Sequence, residues 1–181
     1  YKREDGDYKG AIADYTKAIE INPNPHSVFY YNRGLAKDHL KDYEGAIADY
    51  TKALEMKPNN DDGYYNRGLA KYHLKDYEGA ISDYTKAIAI KPNNDAYYNR
   101  GIAKNNLKDY EGAISDYTKA IEINPKHVDA YLNRGISKEN LENRNFKLYR
   151  FKGNLKSACD DWRQASYLGH DEASKWVKEQ C

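Results

Sequence analysis

Four asparagines recur at a near-constant spacing: Asn32, Asn66, Asn99 and Asn133 are separated by 34, 33 and 34 residues. A carboxamide is both donor and acceptor, so a row of them can hold the backbone of an extended peptide whatever its sequence. Tyr31, Tyr65 and Tyr98 directly precede the first three, and Leu132 the fourth. Such rings add contact area at low entropic cost. His39 and His73 stand 34 residues apart. Neighbouring helices lie about 8–10 Å apart, which strains a zinc shared at about 2.0–2.1 Å per imidazole. No Cys or close carboxylate pair completes a ligand set, so polar contacts are expected of these histidines, and neither a metal nor another cofactor. There is no glycine-rich phosphate loop, because the glycines follow a long period, and no Ser–His–Asp or Cys–His set. The acidic residues recur with that same period, as structural charges do, so no catalytic activity is expected.

Composition narrows the class further. Leu, Ile, Val and Phe make up 29 of 181 residues, a fraction low enough to raise the question of disorder. Disorder also requires a high net charge, and 29 basic against 28 acidic residues leave +1. Nineteen tyrosines supply much of the missing apolar bulk. No apolar run approaches the roughly 20 residues that span a bilayer, and near-neutrality argues against bulk nucleic-acid binding. Two cysteines cannot build a disulfide scaffold or a four-Cys zinc site. The chain opens on Tyr1 rather than Met. A preceding segment is therefore expected, and localisation stays unassigned.

The period belongs to the whole chain. Gly34, Gly68, Gly101 and Gly135 occupy an N-R-G-[LI]-[AS]-K frame, and Pro23, Pro58, Pro92 and Pro125 recur 35, 34 and 33 residues apart. D-Y-T-K-A-[IL] recurs at Tyr15, Tyr50, Tyr84 and Tyr117 and degenerates to D-W-R-Q-A at Trp162. Each period reads as two helices, the first over about 27–40 and the second over about 43–56. Ala46, Ile47, Tyr50, Ala53 and Leu54 trace one face of the second. Asp42 is its expected N-cap, and Pro58 ends the unit. Gly34 and Ala46 sit where the helices cross and let the backbones approach, with Tyr30, Tyr43 and Tyr50 filling the remaining volume. Neither helix buries its stripe alone, so the units must stack.

These residues resemble the tetratricopeptide repeat, whose pattern has a large residue at position 4, Gly at 8, Ala at 20, an aromatic at 24, Ala at 27 and Pro at 32. With position 1 at Ser27 the chain supplies Tyr30, Gly34, Ala46, Tyr50, Ala53 and Pro58. The next repeat supplies Tyr64, Gly68, Ala80, Tyr84, Ala87 and Pro92, and the third Tyr97, Gly101, Ala113, Tyr117, Ala120 and Pro125. The resemblance implies an all-α fold, a right-handed superhelix (an α-α solenoid) of antiparallel helix pairs with a concave groove. One array is expected over 1–181. It comprises a partial repeat at 1–26, full repeats at 27–60, 61–93 and 94–127, a fourth repeat at 128–169 and a C-terminal capping helix at 170–181. In the family, positions 2, 5, 6, 9, 12 and 13 face the groove. That assigns Tyr31, Asn32, His39, Tyr65, Asn66, His73, Tyr98, Asn99 and Asn133 to a peptide-binding groove. The chaperone-clamp version of the fold holds a terminal carboxylate with Lys and Arg at positions 2, 5, 6 and 9. Here those positions are Val28, Tyr31, Asn32 and Leu35, then Asp62, Tyr65, Asn66 and Leu69, so an Asp-terminated chaperone tail is not the expected ligand.

Several features depart from the family pattern. Arg33, Arg67, Arg100 and Arg134 at position 7 repeat in step with Asp49, Asp83, Asp116 and Asp161, which predicts an internal Arg–Asp ladder along the stack; the alternative is solvated surface charge worth about 0–1 kcal/mol each. The step from Tyr117 to Trp162 is 45 residues instead of 33, so about 11 residues are inserted near 142–154. That is close to three helical turns, and the flanking helices could lengthen without losing their facing. The insert is aromatic and basic, and Phe146, Tyr149, Arg150 and Phe151 form a candidate secondary contact patch; the alternative is local packing within a longer helical hairpin. Residues 1–23 read as the second helix of a repeat, an open edge that could pair with another molecule. Ala173, Trp176 and Val177 give residues 171–181 the apolar stripe of a cap, and A-S-Y-L-G-H-D-E-A is similar to the junction of Sel1-like repeats. Cys159 takes the place of Ile47, Ile81 and Ile114 and should be at least partly buried. Two free thiols are expected, with a Cys159–Cys181 staple, and the oxidising compartment it would imply, as the alternative.

The function expected is a non-catalytic protein–protein interaction scaffold that binds an extended peptide segment in the groove. Its partner is a protein or peptide, not nucleic acid. Self-association through the open N-terminal edge or the aromatic–basic insert is the alternative.

Overall fold

The computed structural model describes residues 7–149 and 156–181. Among them are ten helices and no strand: α1 (Tyr8–Ile21), α2 (Ser27–His39), α3 (Tyr43–Met56), α4 (Asp61–His73), α5 (Tyr77–Ile90), α6 (Asn94–Asn106), α7 (Tyr110–Ile123), α8 (Val128–Tyr149), α9 (Lys156–Tyr167) and α10 (Asp171–Gln180). They fall into two compact units, residues 1–91 and 92–181.

Local chemistry sets the helix starts and stops. Asp7, Asp42, Asp76 and Asp109 cap α1, α3, α5 and α7, each carboxylate accepting the N–H of the glycine three residues on at 2.8–3.0 Å. This satisfies a donor that helix geometry leaves orphaned. Helix α2 ends at His39, one residue short of the expected boundary, with Leu40 as its C-cap. The chain then reverses through Lys41, at φ 62°, and Asp42, whose N–H donates to the Lys37 carbonyl at 2.9 Å. Lys75 and Lys108 repeat that left-handed conformation at φ 63° and 62°, which an L side chain adopts only at a cost. Lys41→Gly is therefore expected to raise stability by about 0.5–1 kcal/mol, the relief of that strain less the entropy glycine loses on folding. Urea denaturation would measure it.

In the first unit α2 packs on α3 and α4 on α5, while α1 covers α2 and α3 covers α4. The crossings are small-against-large contacts. A Cβ placed on Gly34 would lie 2.8 Å from Cε1 of Tyr50, and one on Gly68 2.9 Å from Cε1 of Tyr84. Tyr50 and Tyr84 are completely buried, among Ala46, Ala53, Ala80 and Ala87. In the second unit α6 packs on α7, α7 on α8, α8 on α9 and α9 on α10. There Tyr117 meets Gly101, and Trp162 meets Gly135.

The Arg–Asp pairing expected from the repeats is present in both units. Arg33 donates to both oxygens of Asp49, from Nε at 2.9 Å and from Nη2 at 2.7 Å. Arg67 holds Asp83 the same way at 2.8 and 2.7 Å, as Arg100 does Asp116 and Arg134 Asp161. The pairing is more local than a ladder running along the stack, because each pair joins the two helices of one repeat. The link to the preceding repeat is a threonine: Arg33 Nη1 donates to Thr16, Arg67 to Thr51 and Arg134 to Thr118, all at 3.0 Å. A lysine one turn after each arginine completes the rung: Lys37, Lys71, Lys104 and Lys138 approach the same carboxylates within 2.7–2.8 Å. The guanidinium of Arg67 also lies over Tyr64, 5.5 Å from the ring centroid.

The added residues of the fourth repeat lengthen its first helix. α8 has 22 residues where α2, α4 and α6 have 13, whereas α9 has 12 where α3, α5 and α7 have 14. Arg144, in the added turns, forms an ion pair with Glu111 and lies over the ring of Tyr110. The cap forms as expected. Trp176 and Val177 of α10 pack on Ala158, Cys159 and Trp162, and Ala173 is fully buried. The expected free thiols are not found. Cys159 and Cys181 are joined by a disulfide with Cα atoms 5.8 Å apart, because α10 folds back along α9 and brings its last turn to the buried Cys159.

Candidate functional site

The first helices of the pairs carry the candidate residues. α2 and α4 touch directly in the first unit, as do α6 and α8 in the second, and their contact is polar. Asn66 Nδ2 donates to the Tyr31 hydroxyl at 2.8 Å, and Asn133 Nδ2 to the Tyr98 hydroxyl at 2.9 Å. Each bond links position 6 of one repeat to position 5 of the repeat before. It fixes the carboxamide rotamer while leaving its carbonyl oxygen as an acceptor. Burial, with Asp62 next, holds the Tyr31 phenol above its ordinary range against the opposing effect of the Asn66 hydrogen bond.

The tyrosine rings are seated from below. Tyr31 lies 5.8 Å from the buried Tyr50, Tyr65 the same distance from Tyr84, and Tyr98 from Tyr117, each pair tilted. Asn32, Tyr65 and Asn99 are partly buried on the same helices. His39 and His73 are exposed, and each stacks nearly parallel on a tyrosine from the second helix of the preceding repeat. Tyr8 is 4.5 Å from His39 and Tyr43 is 4.7 Å from His73. These histidines thus join repeat to repeat, a role their own positions did not announce. Among the described residues no group of three or more His, Cys, Asp or Glu is placed to hold a metal. No described helix is long and apolar enough to cross a membrane. Of the aromatic–basic patch, Phe146 and Tyr149 fall within the backbone of α8, whereas Arg150 and Phe151 lie outside the described residues.

One residue of this face went unnoticed in the sequence because it does not repeat. Asp38 is partly buried at position 12, where the following repeats have Tyr72, Asn105 and Glu139. Its Oδ1 is covered and has no hydrogen-bond partner, and so is the Tyr50 hydroxyl. Burial pushes the Asp38 carboxyl up, while His73 and His39 pull it back.

A model of the tetratricopeptide repeat matches residues 27–60, 62–94 and 95–127, and a second model of the same repeat matches 1–25. No curated protein matches the chain significantly. Among solved structures, that of MamA is 24% identical, with a TM-score of 0.79 over 93% of this chain and 92% of its own. YrrB, described as having an unusual peptide-binding site, is 23% identical, with a TM-score of 0.80 over 96% of this chain and 84% of its own. At those identities the likeness is one of fold. The first repeat domain of Spaghetti (RPAP3), bound to the HSP90 peptide SRMEEVD, is 28% identical, with a TM-score of 0.62 over 64% of this chain and 92% of its own.

Proposed function

Because this chain belongs to the tetratricopeptide repeat family, we propose that it is a non-catalytic interaction scaffold whose first-helix layer holds an extended peptide segment. The observation that carries this reading is the Tyr–Asn link, made once in each unit by Asn66 and Asn133. A carboxamide already anchored by one N–H presents its carbonyl in a fixed direction, so little entropy is lost when a peptide N–H donates to it. The flanking tyrosines supply rigid apolar area. Peptide binding in the named structures of YrrB and RPAP3 supports the class. The acidic ligand of RPAP3 does not transfer, because the corresponding positions here hold neither Lys nor Arg.

The test is a random peptide library displayed against the full chain, followed by titration of the selected peptides. The Asn66→Ala, Asn133→Ala double variant is expected to weaken them by about tenfold, as for the loss of one or two net hydrogen bonds, with helicity unchanged by circular dichroism. Selected peptides that bind the variant as well as wild type would overturn the reading. A molecular mass that rises with concentration, together with that result, would favour self-association instead.

A further inference from the structure

We infer that the first-helix face of the first unit takes a basic segment, with a Lys or Arg side chain of the partner seated at Asp38. This rests on the groove reading above and specifies the chemistry of its ligand. The charge pattern is the first argument. In the repeats formed by α2/α3 and α4/α5, positions 2, 5, 6, 9, 12 and 13 hold Asp38 and Asp62, with His39 and His73, and no Lys or Arg. The basic residues of those same helices are committed elsewhere: Arg33 and Lys37 neutralise Asp49, and Arg67 and Lys71 neutralise Asp83. A chain of net charge +1 therefore keeps an acidic strip on this face, where a cation would be attracted.

The second argument is what lies beneath Asp38. Asp49 and Asp83 are each held by two cations, but among the described residues Asp38 makes no ion pair. Tyr50 is fully buried with its ring against Gly34, one helical turn before Asp38. Its hydroxyl and the covered Asp38 oxygen both lack hydrogen-bond partners, and burial, with the Asp38 charge next, raises that phenol above its ordinary range. A covered carboxylate oxygen without a hydrogen-bond partner is costly, and the nearby His73 and His39 offset only part of that cost. Asp38 is still partly exposed, so an ammonium or guanidinium lying along the face can reach it and supply the missing charge, while Tyr31 flanks the stem of that side chain.

Fluorescence anisotropy with labelled Gly-Ser-Lys repeats, and with Gly-Ser-Gln and Gly-Ser-Glu repeats of equal length, tests this on the full chain. The Lys peptide is expected to bind about tenfold tighter than the Gln peptide, as for one charge-assisted contact, and the Glu peptide most weakly. Asp38→Asn should erase the Lys preference without changing affinity for the Gln peptide, and Asp38→Glu should keep most of it. Equal binding of Lys and Gln peptides, both weakened by Asn66→Ala, would overturn the charge inference and leave the groove reading standing. A Lys preference that survives Asp38→Asn would also overturn it. A preference lost in Asp38→Asn but indifferent to Asn66→Ala would uphold the inference and remove the asparagine from the groove reading. No binding of any of the three peptides to wild type would overturn both.

Discussion

Replacing Tyr84 with Ala is expected to destabilise the protein by about 3–5 kcal/mol, the usual cost of emptying a buried aromatic site, whereas Tyr84→Phe is expected to be neutral or to stabilise by up to about 1 kcal/mol. The ring is fully buried. It closes the crossing of α4 and α5 by lying where Gly68 has no side chain, and it seats Tyr65 from below. Removing it opens a cavity that the rigid glycine–alanine crossing cannot collapse to fill. The hydroxyl contributes nothing comparable, since it is covered and without a partner, and burial raises the phenol far above its ordinary range. Deleting the oxygen removes an unmet desolvation cost and leaves the packing alone. Urea unfolding of both variants is the measurement. If Tyr84→Phe cost as much as Tyr84→Ala, the hydroxyl would have to be bonded and the packing account would fail.

Arg67→Ala is the other large effect, expected to cost about 2–4 kcal/mol. Asp83 is 1% exposed and Arg67 13%, so truncation strips a bidentate partner from a carboxylate that water cannot reach. Lys71, 2.7 Å from the same carboxylate, keeps the loss below that of a fully orphaned charge. It also predicts that Arg67→Lys falls short of wild type, since a point charge cannot reproduce the planar fork or reach Thr51 as well. The double variant Arg67→Met, Asp83→Leu should recover most of the loss, because removing both charges removes the desolvation cost with them. Lys71 can then carry its ammonium to water on its flexible stem. A double variant as unstable as Arg67→Ala would show that the rung adds net stability rather than only avoiding a penalty.

How much of this was legible follows from which features recur. The helix pairs, the small residues at their crossings, the Asp42 cap and the identity of the Arg–Asp partners all repeat in fixed frames, so the period revealed them, though it did not show that Tyr50 lies on Gly34 or that each pair closes within one repeat. The lysine of each rung stands one turn from its arginine and could have been read from the same helical face. The threonine could not, because it comes from the preceding repeat and needs the stacking geometry. Asp38 escaped for the opposite reason: it occurs once, and its character comes from a covered oxygen with no hydrogen-bond partner rather than from any pattern. The Cys159–Cys181 bond depends on where α10 folds back along α9, which sequence separation leaves open. The histidine stacks on Tyr8 and Tyr43 likewise join elements whose relative placement no single repeat contains. Residue type and period suffice for contacts within a repeat and give way at contacts between repeats.

The uniformity of the rungs also bears on how two copies of the chain can err. The set Arg33, Asp49, Lys37 and Thr16 is duplicated atom for atom by Arg67, Asp83, Lys71 and Thr51, and each set joins one helix pair to the threonine before it. A helix pair lent by a second molecule would meet the same donors and acceptors as the native one. Nothing in these rungs therefore distinguishes self from neighbour, or one repeat from the next. Discrimination falls to contacts outside the repeating frame, such as Arg144 with Glu111 and Tyr110, Ser137 hydrogen-bonded to Asn105, and Trp162 packed against the disulfide-tied cap. Interchangeable parts make such a chain easy to extend by duplication, and at high concentration they leave it open to exchange of whole repeats between molecules.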